Sequence, residues 1–490
     1  MSQIGMQHQQ VKKLKLLSIP DRSCEIFVAI ARISLLLCFV SSISLALYTS
    51  FSSQRHWLLS PYPVRNAPSR PSVDPTNISH IVFGLGGSVA TWHDRSRYSA
   101  LWWLPNITRG FVWLDEMPPS GDDRNNDSSP ETPCRISSPE WTRFRFSSSQ
   151  SAVRIARIIT DTFKLRLPNV RWFVMGDDDT VYFCRNLVSV LGKYDHNQMW
   201  YIGGNSESVE QDVMHTYDMA FGGGGFAISY PLAERLVSIF DGCLDRYFYF
   251  YGSDQRIWAC ITEIGVGLTK EPGFHQLDIR GNPYGLLAAH PPAPLVSLHH
   301  LDHLSSLFPD QDKVHSLRTL MTAYHLDPPR ILQQTFCHDY KHIWSISVSW
   351  GYTVQLYPLL LPAMDLQKPL QTFKTWRSSS DGPFTFDVRP MSPNPCERPL
   401  IFMLNRTNGV GDRGTLTGYK RLAYTPGKEC NSAQYRQALS VRGILVSTVK
   451  MDPNYWTKAM RRQCCELVRI QKGIMHIRIR NCRPGETVTA

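Results

Sequence analysis

The chain has 490 residues, of which 42% are hydrophobic, 11% aromatic and 19% charged. That composition excludes a globally disordered protein, and the length points to more than one domain. The net charge of +11 is scattered and comes with no nucleic-acid-binding motif, so it reads as a basic surface and not as a sign of a nucleic-acid partner.

The first element in chain order is a membrane segment. Ile33 to Phe51 is a run of 19 residues without a charge, and Ile26 to Ala31 extends it upstream across Arg32. About 20 apolar residues are needed to cross a bilayer as a helix. Lys12, Lys13, Lys15 and Arg22 precede the run and few positive charges follow it closely, which puts the N-terminus in the cytosol. Arg32 can snorkel to that side. The alternative is a cleaved signal peptide. The run starts late and no clear small-residue cleavage site follows, so residues 26–51 read as an uncleaved signal-anchor after a cytosolic tail, 1–25. The rest is then expected to be lumenal, giving a single-pass type II membrane protein.

Two features suit a lumenal setting. Four glycosylation sequons begin at Asn77, Asn106, Asn126 and Asn405. Cys24 and Cys38 lie at or within the span, and beyond it stand Cys134, Cys184, Cys243, Cys260, Cys337, Cys396, Cys430, Cys464, Cys465 and Cys482. That even number permits a disulfide framework, whereas the absence of a CxxC pair speaks against zinc.

Residues 52–78, rich in Ser, Pro and Arg, read as a stem. Residues 79–309 alternate strand-like and helix-like stretches. Ile81 to Gly84 and Gly110 to Leu114 read as strands, with a helical stretch through Tyr98 to Leu104 between them. The polar residues 117–140 read as an exposed loop. Val153, Ile155, Ala156, Ile159 and Phe163 recur near a helical period, and Arg171 to Met175 reads as another strand. Such alternation predicts an α/β domain with a largely parallel sheet. Residues 310–490 have strand-like stretches at 336–361, 401–404, 443–449 and 474–479, which predict a smaller β-rich domain.

The chemistry centres on the strand from Arg171, which runs directly into Asp177, Asp178 and Asp179. In open α/β sheets, ligands bind at the carboxyl ends of strands. Alternate residues of an extended segment point the same way, so Asp177 and Asp179 can face one pocket and Asp178 the other side. Three neighbouring carboxylates repel each other. A hard divalent ion such as Mn²⁺ or Mg²⁺, bridging them to substrate phosphates, removes that cost. The plainer alternative is a solvated acidic turn. Gly222, Gly223, Gly224 and Gly225 follow between aromatic residues. They allow close backbone approach to a ligand, and they match neither a P-loop nor the dinucleotide fingerprint.

Together, Trp172 to Thr180, Trp200 to Gly204, Gly222 to Ser229, Tyr251 to Asp254 and Leu298 to Asp302 resemble the Fringe-like glycosyltransferases of the β-1,3-galactosyltransferase superfamily. The closest likeness is to a plant Fringe-related group with an extra C-terminal region. The resemblance covers Ile81 to about Asp302. It implies a GT-A type, Rossmann-like mixed sheet, a UDP-sugar donor, Mn²⁺, inversion at the anomeric carbon, a β-1,3 linkage and a Golgi membrane location. The acceptor would be a glycan or glycoprotein. It also implies that Asp179 is the main metal ligand, that Asp177 and Asp178 contact the nucleotide or metal-bound water, that His300 or its neighbour His299 is a second ligand, and that Asp254 is the general base. An N-cap is the structural alternative for Asp254.

This chain departs from the family pattern in having Ser253 where relatives have an acid, Gly224 where Fringe has Ala, and a longer, Pro-rich stretch from Asp254 to His300. Two competing readings are a catalytically inactive lumenal binding protein of the same fold and a metal-dependent phosphohydrolase.

Overall fold

The computed structural model describes residues 21–58, 74–118, 132–146, 150–376, 388–411, 413–423, 430 and 432–489. Lys12, Lys13 and Lys15 of the expected tail, most of the stem and the Asn126 sequon lie outside the described residues. The chain divides into two units, residues 1–74 and 75–490.

In the first unit, α1 (Asp21–Leu58) contains the apolar stretch Val28–Tyr48, 21 residues with exposed side chains. At about 1.5 Å per residue this stretch is about 30 Å long, the thickness of a bilayer core. It is a helix fit for a single-pass anchor. Residues 52–58, expected to begin the stem, continue the helix because no Pro or Gly interrupts the chain before Pro61.

The second unit begins with β1 (Ile81–Gly86), α2 (Val89–Ser99), β2 (Gly110–Leu114), β3 (Cys134–Ile136), α3 (Gln150–Lys164) and β4 (Trp172–Asp177). There follow β5 (Val181–Tyr182), α4 (Cys184–Leu191), β6 (Tyr201–Gly203), α5 (Val209–Met214), β7 (Phe226–Ser229), α6 (Tyr230–Arg246), α7 (Ser253–Ile264) and β8 (Leu268–Lys270). Seven of these strands form one mixed sheet in the order β3-β2-β1-β4-β7-β6-β8, with β7 alone running against the rest.

Two expectations need correction here. The helix after β1 starts at Val89, where the Ser88 side chain caps it by accepting from the Ala90 amide, and it ends at Ser99; residues 100–104 are not helical, and Trp102 and Trp103 turn into the core. The polar stretch 117–140 is not all loop, because Cys134–Ile136 pairs in parallel with β2 as the sheet edge.

Strand alternation sorts the core onto two faces. Val82, Phe173 and Met175 meet Val153, Ala156 and Ile159 of α3, together with α6 and α7, which Cys243–Cys260 joins. On the other face, Phe83 packs against Trp102, Trp103 and Tyr182, with ring centroids 5.0, 6.1 and 5.3 Å away.

The chain continues through β9 (Phe274–His275), β10 (Ile279–Gly281), α8 (Tyr284–Ala288), β11 (Ser297–Leu298), α9 (Lys313–Leu326), β12 (Gln334–Asp339), β13 (Trp344–Ser349), β14 (Thr353–Tyr357), α10 (Ala363–Leu366) and β15 (Phe373–Thr375). It ends with β16 (Leu400–Val410), β17 (Gly414–Arg421), α11 (Ala433–Leu439), β18 (Gly443–Val449), α12 (Tyr455–Lys458), β19 (Cys464–Gln471) and β20 (Ile474–Arg480). Eight strands form the C-terminal sheet, in the order β12-β13-β14-β16-β17-β18-β20-β19. The two end strands, β12 and β19, lie side by side and are joined by Cys337–Cys465, so the sheet is barrel-like and its edges are covered. Cys396–Cys430 and Cys464–Cys482 add two more bridges. Ile346, Val348, Val354 and Ile477 of this sheet share one core with Phe83 and Trp172, so residues 75–490 pack as a single compact unit.

Phe83→Ala is expected to cost about 3–5 kcal/mol of stability, because it leaves a cavity among three large rings. Urea unfolding followed by tryptophan fluorescence would measure this, and a cost near zero would rule out the packing described.

Candidate active site

Asp177 closes β4 at the carboxyl edge of the sheet, in register with Gly86 of β1. A turn follows, fixed by Thr180: its hydroxyl accepts from the Asp177 amide (2.9 Å) and donates to the Gly223 carbonyl (2.7 Å). This one side chain joins the acidic turn to the glycine run.

The three aspartates part at the strand-to-turn transition, with Asp177 ending β4 and Asp178 and Asp179 in the turn. Asp178 is buried and points to α2, where its Oδ1 accepts from Arg95 Nη1 (2.8 Å) and its Oδ2 from Thr91 Oγ1 (3.2 Å). It does not line the cavity described below. Asp179 is fully buried. Its Oδ1 lies 3.1 Å from His299 Nε2 and its Oδ2 lies 3.2 Å from Arg95 Nη2, yet neither oxygen accepts a well-aligned hydrogen bond. Asp177 Oδ2 stands 3.5 Å from the same His299 Nε2.

His299 arrives through a small sheet in which β11 pairs antiparallel with β5, Leu298 opposite Val181. One residue further the chain comes level with the acidic turn. His300 then adopts a left-handed conformation (φ 54°). Its Nδ1 lies 3.0 Å from Asp278 Oδ1 and its ring stacks on Trp376 at 4.5 Å. Both imidazoles border the same cavity, but His299 is the one that meets the aspartates.

The glycine run is pinned from several sides. The Gly222 amide donates to Asp254 Oδ2 (3.1 Å), and the Gly224 amide donates to Gln276 Oε1 (2.5 Å). Gly225 has φ +85°, and a methyl group there would sit 2.2 Å from the Tyr182 hydroxyl. A methyl group on Gly223 would fall 2.0 Å from the His299 ring. Gly222 and Gly223 line the cavity, whereas Gly224 and Gly225 hold its wall. Asp254 is half-buried in the first turn of α7, and the N-cap position belongs to Gly252. The cavity, about 260 Å³, brings Asp177, Gly222, Gly223, Asp254, Gln276 and His299 together.

The charges here interact strongly. Burial pushes the Asp178 carboxyl up to about 6, against the pull of Arg95. Burial would raise Asp179 too, but His299 and Arg95 hold it below the usual carboxylate range. Burial would lower His299, but Asp179 first and Asp177 with it push the imidazole up to about 10. Burial raises Asp254.

Asp177, Asp179 and His299 each offer one donor atom, all within 4.8 Å of one another. Two buried carboxylate oxygens without hydrogen bonds, beside an imidazole, fit a hard divalent cation such as Mn²⁺, which would take the place of the imidazole proton. Arg95, Thr180, Gln276, Asp278 and Trp376 escaped the sequence reading. Thr180 stands inside the acidic motif, three residues from Asp177, and only its bond to Gly223 is distant; the other four lie far along the chain from their partners and outside the quoted motifs.

The geometry describes a site at the carboxyl edge of the sheet with an Asp-Asp-His group that could hold a metal ion. Residues 131–281 match the family model described as Fringe-like, which covers the acidic triplet, the glycine run and Asp254 and stops short of His299. The chain is therefore of glycosyltransferase type at the general level. Residues 211–465, just over half of the chain, match the model described as "Protein of unknown function, DUF604", and the chain belongs to that family. No curated protein matches it.

Gly223→Ala is expected to displace His299 and lower stability by about 1–3 kcal/mol. Gly242→Ala in α6, whose new methyl group meets only Arg246 at 3.4 Å, is expected to cost nothing. Thermal denaturation of the two variants side by side checks this; equal midpoints would contradict the close contact at His299.

Proposed function

We propose that the chain is an inverting, Mn²⁺-dependent glycosyltransferase of GT-A type. It moves a sugar from a UDP-sugar to a hydroxyl of a glycan or glycoprotein, with a β-1,3 linkage, in the Golgi lumen. Residues 79–309 form the catalytic part, behind a type II anchor and stem, and 310–490 the β-rich part. The observation that carries this reading is that Asp177, His299 and Asp254 line one cavity beside a glycine run, with Asp179 buried behind it and grouped with Asp177 and His299 as donor atoms.

Asp179, Asp177 and His299 would hold the ion, which supplies neutralisation of the charge on the departing diphosphate. Among the described residues lining the cavity there is no Lys or Arg to meet that charge. Gly222 and Gly223 let the diphosphate approach the backbone closely. Asp178 keeps Arg95 in place behind the turn. Asp254, oriented by the Gly222 amide, takes the proton from the acceptor hydroxyl as its oxygen attacks the anomeric carbon. The bond from that carbon to the diphosphate oxygen breaks in the same step, and UDP leaves.

Asp179→Ala is expected to abolish Mn²⁺-dependent UDP binding, whereas Asp254→Asn keeps UDP binding and lowers transfer about 100- to 10,000-fold. Calorimetry with UDP and Mn²⁺, paired with UDP release across a panel of UDP-sugars, measures both. Equal UDP binding by wild type and Asp179→Ala would refute the assignment. The pH profile carries a further sign. The base works only when ionised, and burial raises its pKa. Activity is therefore expected to fall with acid while the pH is still above about 4, where an ordinary carboxylate titrates. Asp254→Asn should lose that acid limb.

A further inference from the structure

The rim of the cavity beside Asp254 is aromatic. Tyr251 lines the cavity and is 64% exposed, three residues before the proposed base. Its ring lies 6.4 Å from that of His215, which in turn lies 6.0 Å from Phe221 at the start of the glycine run. His215 follows directly on α5, whose last residues, Val213 and Met214, are exposed as well. Tyr217 and Tyr249 extend the same two segments with further exposed rings. Large apolar side chains grouped on the surface next to a polar cavity mark a ligand surface better than scattered ones do.

The chemistry narrows the ligand. A pyranose has an apolar face of C–H bonds and a ring of hydroxyls at its edge. An aromatic ring accepts the face at little entropic cost, because its side chain has few rotatable bonds, while a nearby carboxylate accepts from a hydroxyl. The rim supplies both groups within one cavity. Charge decides between classes of sugar. The cavity lining holds Asp177 and Asp254 and, among the described residues, no Lys or Arg. A uronic or sulfated sugar on Tyr251 would meet Asp254, which pairs with no Lys or Arg in the cavity lining, at a cost that a neutral sugar avoids.

We infer that the acceptor is a neutral saccharide whose ring stacks on Tyr251 with a hydroxyl directed to Asp254. This rests on the transferase reading above and adds the acceptor class to it.

Saturation-transfer difference NMR on the full-length protein in detergent, with UDP and Mn²⁺ present, tests it. The probes are methyl β-D-galactopyranoside, methyl β-D-glucopyranoside and methyl β-D-glucuronide. At least one neutral glycoside should show saturation, strongest at the C–H protons of one ring face, and the glucuronide should show none. Tyr251→Ala should weaken the neutral glycoside about tenfold, as the loss of one stacked ring would, with UDP binding retained. Tyr251→Trp should restore glycoside binding. Retained UDP binding also shows that each variant is folded. If the wild type binds UDP with Mn²⁺ but no neutral glycoside, or if Tyr251→Ala binds like the wild type, or if the glucuronide binds equally well, the acceptor inference fails while the donor reading stands. If the wild type does not bind UDP at all, the transferase reading fails and the inference with it.

Discussion

Asp179 has no exposed surface, and a carboxylate so placed is costly unless positive charge meets it. Much of the site can be read as the answer to that cost. Arg95 approaches from α2 and His299 from β11, each about 3 Å away, and the same Arg95 reaches Asp178 and also Asp302 at 3.3 Å. One guanidinium thus ties the acidic turn to the segment that carries both imidazoles. Tyr98, one turn further along α2, donates to Asp302 at 2.5 Å and strengthens the tie. A pair of buried opposite charges is weak evidence for stability but good evidence for placement, because removing either partner leaves the other stranded.

The two sides of the cavity are built differently. On the side of the aspartates, backbone positions are fixed by contacts that a single methyl group would disturb, at Gly87 against Asp178, Gly223 against His299 and Gly225 against Tyr182. On the side of Asp254, the wall includes one exposed ring, Tyr251, with further exposed aromatic side chains beyond it on two segments. A rigid wall suits a ligand part that does not vary, and a surface rim suits one presented from solution.

The C-terminal residues also take part. β15 pairs with β10, and the residue after it, Trp376, stacks on His300 at an interplanar angle of 7°. Asp327 and Arg330, both buried, join α9 to the far end of the barrel-like sheet, where Asp327 accepts from the Met451 amide. The eight-stranded sheet is therefore a continuation of the core, while the separate β10–β15 pair brings one ring against His300. The sequence changes in texture near residue 310, and the strands of the eight-stranded sheet all lie beyond it, from Gln334 on, with α9 before them and α10 to α12 among them. A break in packing is a different property, and contacts across it are not visible in composition.

What the residue order determined by itself is local. The charge-free run in α1, the helical period of Val153, Ala156 and Ile159 and the strand ahead of Asp177 can all be read within a few neighbours. The glycines announced close approach without saying to what. Only the tertiary structure decided that His299 and not His300 meets the aspartates, since the choice turns on the β5–β11 register and one left-handed residue. It also chose Arg95 as their counter-charge, brought Trp376 to the rim, selected the four disulfide pairs and closed β12 onto β19. Each of these joins residues at least 17 positions apart, and most join residues much further apart. Periodicity carries no information over such distances; they are set by how two sheets and their helices bury one shared core.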